Sequence, residues 1–202
     1  MQDHESEQEL RDRLNLIESM IAEGRRQTES WGWLFVLWGV MYYVAIAWSA
    51  WGHTSWAWPV TVSAAIVVTI VLGSRNGPEA ETTLGRAIAS IWIALGISMF
   101  LLFVALGASG RLTDQHLFVA VISAILGMAN GASGLLLRWK AQLACAVGWW
   151  AASVLSCFGS ERQNEIVFLV AIFLCQIVFG IYAMAADKQW RRRHGEVHAR
   201  TA

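Results

Sequence analysis

Few side chains in this 202-residue chain have chemistry to offer. They are two amides in apolar surroundings, Asn130 and Gln176; one serine, Ser133, inside Gly131-Ala132-Ser133-Gly134; four of the five histidines, His53, His116, His194 and His198; and the cysteines Cys145, Cys157 and Cys175. An amide both donates and accepts, so Asn130 and Gln176 suit a bond to one another or to a neutral polar ligand. A serine needs a neighbouring base to become a nucleophile, and the apolar stretch around Ser133 holds none. His53 and His116 would make half of a metal or haem site, without the further ligands such a centre needs. His194 and His198 stand one helical turn apart with no third ligand beside them. The cysteines form no C-x-x-C pair and read as small apolar filler. No catalytic constellation, cofactor motif or metal set is visible, and the chain is expected not to be an enzyme.

The elements that must position these groups are apolar helices. Hydrophobic residues make up 56% of the chain and charged ones 15%, against about a quarter charged in soluble domains. Six stretches are free of Asp, Glu, Lys, Arg and His: residues 33–51, 56–72, 87–106, 117–137, 142–158 and 166–186. A helix needs about 20 apolar residues to cross a hydrocarbon core of about 30 Å. The second and fifth stretches are short, at 17 residues each, and would borrow flanking residues or thin the bilayer. Lipid offers no partner to a free backbone amide, so all six are expected to be helical. The expected fold is therefore an all-α integral membrane protein: a six-transmembrane-helix bundle of three hairpins over residues 31–186. A cytoplasmic segment, residues 1–30, precedes it, and a basic tail, residues 187–202, follows. Segments without interior charge also lack the residues of proton relays and ion pathways.

Lys and Arg set the orientation. With the N-terminus inside, the inner segments collect thirteen of them and the outer loops two, Arg111 and Arg162. Both termini are thus expected on the cytoplasmic side of the inner membrane. Trp31, Trp33, Trp139 and Trp190 fall at the inner interface, and Trp48, Trp51, Trp56 and Trp58 at the outer one, as interfacial anchors. The first thirty residues contain no apolar h-region, so no cleavable signal peptide is expected. Neither tail interleaves basic with aromatic residues in the manner of a nucleic-acid surface. Local signals mark helix starts at Ser55, at Asp114 and at Ser160 with Gln163, a capping box. Pro59 is compatible with a first turn, and Pro78, Glu79 and Glu81 read as another helix start.

The most patterned polar segment precedes the membrane. Ser6 and Glu9 form a capping box, and Leu10, Leu14, Ile17 and Ile21 follow at spacings of 4, 3 and 4, up to a stop at Gly24. This predicts an amphipathic helix over about residues 6–24 with a narrow apolar seam. Residues 1–30 hold eight acidic and four basic side chains, whereas membrane-surface helices usually carry basic polar faces. The heptad-like spacing suits pairing with its own copy. Docking on another protein, or on the chain's own inner face near Arg191–Arg193, is the other protein-contact reading. The basic tail reads as a topology anchor near anionic lipid head groups.

The fourth stretch carries a stripe of small residues, Ala120, Ala124, Gly127, Gly131 and Gly134, which lets helix backbones approach closely. Gly131-Ala132-Ser133-Gly134 on the fourth of six spans resembles the G-x-S-G of rhomboid intramembrane proteases. That resemblance would imply a serine nucleophile paired with a histidine on the sixth span. Residues 166–186 contain no histidine, the second span lacks the family's His and Asn, and Ser133 falls near the cytoplasmic end. The glycines are better explained by packing.

Two functions remain in view. One is a non-enzymatic multi-pass membrane protein acting through protein contacts, as a homo-oligomer or an accessory subunit, with the bilayer as its other partner and Leu10, Leu14, Ile17 and Ile21 as the contact seam. The alternative is a small neutral-solute transporter or substrate-binding membrane subunit, its site near mid-membrane around Asn130 and Gln176. No cofactor is expected in either.

Overall fold

The structure, a computed structural model, describes residues 2–52, 56–75, 83–109 and 114–201. His53, Ser55, Pro78, Glu79 and Glu81 lie outside the described residues, as do the side chains of Ser6, His194 and His198. Among the described residues there is no strand. Five helices are long and apolar enough to cross a membrane. Their outer faces are covered by exposed Val, Ile, Leu and Phe, the surface expected of a chain solvated by lipid rather than water.

Helix α1 (Gln2–Ser30) is longer than its sequence signals suggest. It begins ahead of Ser6, and Gly24 continues it instead of stopping it. The reason at Gly24 is a long-range contact: a Cβ there would stand 3.0 Å from Leu84 Cδ2 and 3.2 Å from Leu137 Cδ2. The glycine lets α1 lie against its neighbours. A turn at Trp31, whose N–H bonds to Thr28 O at 3.2 Å, leads into α2 (Gly32–Gly52).

Helices α3 (Ala57–Arg75) and α4 (Thr83–Ala108) follow. Pro59 sits in the first turn of α3, where its missing N–H costs nothing. Helix α5 (Gln115–Leu136) starts at Asp114, whose carboxylate accepts from the N–H groups of His116 and Leu117. Its end is a Schellman turn: Trp139 N–H bonds to Gly134 O at 2.9 Å and Arg138 N–H to Leu135 O at 3.2 Å. The left-handed position belongs to Arg138, φ 49°, where glycine is usual.

That three-residue turn makes α5 and α6 (Lys140–Ser156) the most extensively packed pair in the chain. The tightest hairpin thus joins the fourth and fifth apolar stretches. At 17 residues, α6 rises about 25 Å, short of a full hydrocarbon core. It is accordingly not among the five candidate spans.

Ser160 and Gln163 form the expected capping box at the start of α7 (Glu161–Ile172). The rod continues through a π-helical stretch, Phe173–Val178, into α8 (Phe179–Thr201). Aromatic contacts tie the elements together. Phe35 of α2 meets Trp92 of α4 and Phe179 of α8 edge-on, each at 5.1 Å. Phe118 of α5 meets Trp58 of α3 at 5.6 Å and Phe103 of α4 at 5.0 Å. Edge-to-face pairs of this kind add about 0.5–1.5 kcal/mol beyond their buried area.

Candidate functional site

The buried face of α6 reads Gln142, Cys145, Trp149, Ala152, Ser156, spacings of 3, 4, 3 and 4. Helix α6 packs on α5, whose buried residues include Ser123, Leu126, Asn130 and Ser133, and on α7, where Phe168 meets the Trp149 ring and Asn164 is also buried. The core of the hairpin is therefore polar along much of its length.

Most of these polar groups lack partners. Gln142 has no exposed surface, and neither Oε1 nor Nε2 has a hydrogen bond. Asn130 is equally buried; its Nδ2 donates to Leu126 O of its own helix at 2.9 Å, and Oδ1 is left without a donor. The hydroxyls of Ser123, Ser133 and Ser156 and the indole N–H of Trp149 are also unpaired. Each orphaned polar atom costs about 1–3 kcal/mol.

At the far end some groups are paired, although Asn164 Oδ1 and the Ser156 hydroxyl are not. Asn164 Nδ2 donates to Gln115 O at 3.3 Å, and His116 Nδ1 lies 2.8 Å from Ser156 O. That contact assigns the His116 proton to Nδ1, because a carbonyl can only accept. Ser153 donates to Ala120 O at 2.8 Å.

Gln176 sits in the π-helical stretch and is buried. Phe179 N–H reaches back five residues to Leu174 O, which is the π register. Two glycines cradle the widened turn. A Cβ on Gly39 would meet Gln176 Cβ at 3.0 Å, and one on Gly148 would meet Cys175 Sγ at 3.0 Å. Tyr43 donates to Leu169 O at 2.7 Å just ahead of it. π-Turns inside helices recur at functional sites. Asn130 and Gln176 do not hydrogen-bond to each other: the bond from Asn130 Nδ2 goes to Leu126 O, and its Oδ1 has no partner.

The small stripe on α5 faces α6. Gly127 and Gly131 lie under the ring of Trp150, and Gly134 lies against Leu143. Ser133 is buried with its hydroxyl unpartnered, so nothing activates it. No group of three metal-ligating side chains occurs among the described residues.

The N-terminal seam is divided. Leu10, Leu14 and Ile17 are 60%, 54% and 52% exposed, whereas Ile21 is partly buried. From there onward α1 packs on α4 and α8. The contact with α8 is a cation–π stack, Arg26 lying 3.8 Å from the centre of the Trp190 ring. Arg191 bonds to Asp187 of its own helix at 2.9 Å.

By its place in the sequence Gln142 falls at the inner end of the fifth apolar stretch; the structure buries it completely. Its membership of the 3-4-3-4 stripe with Trp149 and Ser156 was the available signal. Ser123, Ser156 and Asn164 were missed for the same reason.

No family model, curated protein or solved structure matches this chain.

Proposed function

We propose that this chain is a six-span protein of the cytoplasmic membrane, both termini inside, that works through protein contacts and not through catalysis. The observation that carries the reading is the divided α1. Its second half is anchored on the bundle, while its first half holds Leu10, Leu14 and Ile17 out with more than half of each exposed. Burying such a side chain contributes about 1.5–3 kcal/mol, and an anchored helix has already lost much of the freedom that binding would otherwise remove. The ion pairs Glu7–Arg11 and Glu9–Arg13 line the segment one helical turn apart, and the surplus of acid disfavours anionic lipid. The occupant that fits is a second copy or another subunit offering a matching apolar seam. In this reading α6 serves as the sixth span, with the Schellman turn and its flanks completing the crossing.

The test is native mass spectrometry of the full chain with Leu14→Asp and Ile17→Asp together. The complex should fall to the monomer mass; an unchanged mass removes the seam from the account.

The unpaired Gln142, Asn130 and Ser133 favour a second reading, a neutral polar solute held in the α5–α6 core with Gln176 nearby. Asn130→Ala with Gln176→Ala should then abolish binding while the fold survives. Retained binding would contradict it.

A further inference from the structure

At the end of the bundle that carries the α5–α6 turn, an open cleft of about 450 Å³ separates α1 from that turn and from α8. Arg25, Arg26 and Arg138 line it together with Trp190. The three guanidinium groups are not equivalent. Arg25 donates from Nε to Glu29 at 3.0 Å and lies 5.2 Å from the centre of the Trp139 ring. Arg26 is stacked on Trp190 and has no carboxylate partner among the described residues, and neither has Arg138.

Stacking covers the face of a guanidinium and leaves the N–H groups along its edge free. Those edge donors match the oxygens of a phosphate in pairs. The backbone at Arg138 adds an independent observation. Its φ of 49° is unfavourable for a residue with a Cβ, and glycine would hold the same turn at lower cost. Strained backbone retained at one position is a mark of a functional demand there, and the demand met here is a guanidinium lining the cleft.

The charges set the kind of anion. Glu29 offsets Arg25. Glu18 also lines the cleft, so three guanidinium groups face two carboxylates, a net of one positive charge. That net charge matches a single phosphodiester and is too small for a polyphosphate, and the two guanidinium groups without a carboxylate partner among the described residues, Arg26 and Arg138, are the ones placed to hold it. Ile21 and Leu137 supply apolar wall beside them.

The geometry points to a binding site for the phosphodiester of an anionic phospholipid headgroup, held between Arg26 and Arg138. The inference rests on the membrane reading above and is independent of the α1 seam. A lipid fits better than free phosphate, because the cleft opens where the apolar stretches of α5 and α8 end and because its wall is partly apolar.

The test uses the full chain in nanodiscs of phosphatidylcholine with a minor share of phosphatidylglycerol, followed by native mass spectrometry of the lipid that stays bound. Phosphatidylglycerol should be retained in preference. Arg26→Gln and Arg138→Gln should each lower retention about fivefold, and together about 25-fold. Arg26→Lys should fall between, keeping the charge without the planar fork. Arg162→Gln, at the opposite end, should change nothing. Equal retention of both lipids, or an unaffected double variant, overturns the site. Displacement by millimolar inorganic phosphate overturns the lipid assignment in favour of a soluble anion. A chain that fails to enter the nanodisc refutes the membrane reading itself, a separate outcome.

Discussion

Gly32 and Gly180 face each other backbone to backbone where α2 crosses α8: a Cβ on either would stand 2.7 Å from the other's carbonyl oxygen. Close crossings through small residues are how helices associate where no hydrophobic force separates helix from lipid. The obstacle on each side is main chain, which cannot rotate away. Gly32→Ala and Gly180→Ala should therefore each destabilise the fold by about 1–3 kcal/mol, the usual cost of overpacking. Gly96 has open space where its Cβ would go, so Gly96→Ala should be neutral or stabilising by up to about 1 kcal/mol. Thermal unfolding of the three variants in one detergent checks the contrast.

The α5 glycines separate a fixed obstacle from a movable one. A Cβ on Gly134 would meet the Leu143 backbone nitrogen at 3.0 Å, while one on Gly131 would meet the Trp150 ring at 2.9 Å. Trp150 is 43% exposed on its far side and can swing outward. Gly134→Ala should cost more than Gly131→Ala, by about 1 kcal/mol within the range for overpacking. Equal unfolding midpoints would contradict the assignment of Trp150 as a lid that yields.

Gln142 offers a test of the polar core. Both its amide atoms are unpaired in a site without exposure. Gln142→Met keeps the approximate shape and removes the orphaned groups, so it should stabilise the empty protein by about 1–3 kcal/mol. A lower unfolding midpoint would mean that the amide is hydrogen-bonded to a guest that travels with the purified protein.

The legible parts of the fold were those decided locally. Asp114 and the Ser160–Gln163 box announce helix starts because a cap is made of neighbouring residues, and the long apolar helices announce themselves by composition. Gly24 misled because its signal is local and its role is not: it makes room for Leu84 and Leu137, sixty and more residues away. The π-helical turn at Phe173–Val178 has no mark in its own sequence, since the room for it is made by Gly39 on α2 and Gly148 on α6. The burial of Gln142 is not legible from its depth, because the helix face it occupies decides it. The arginine cleft was hidden because Arg26, Arg138 and Trp190 meet only in three dimensions.

The mode of action proposed above is protein contact made from a membrane-embedded bundle. The most direct measurement is native mass spectrometry of the protein gently extracted from its own membrane. A defined homo-oligomer or a stoichiometric protein partner is expected. A monomer carrying a discrete small-molecule mass would contradict it and move attention to Gln142, Asn130 and Gln176.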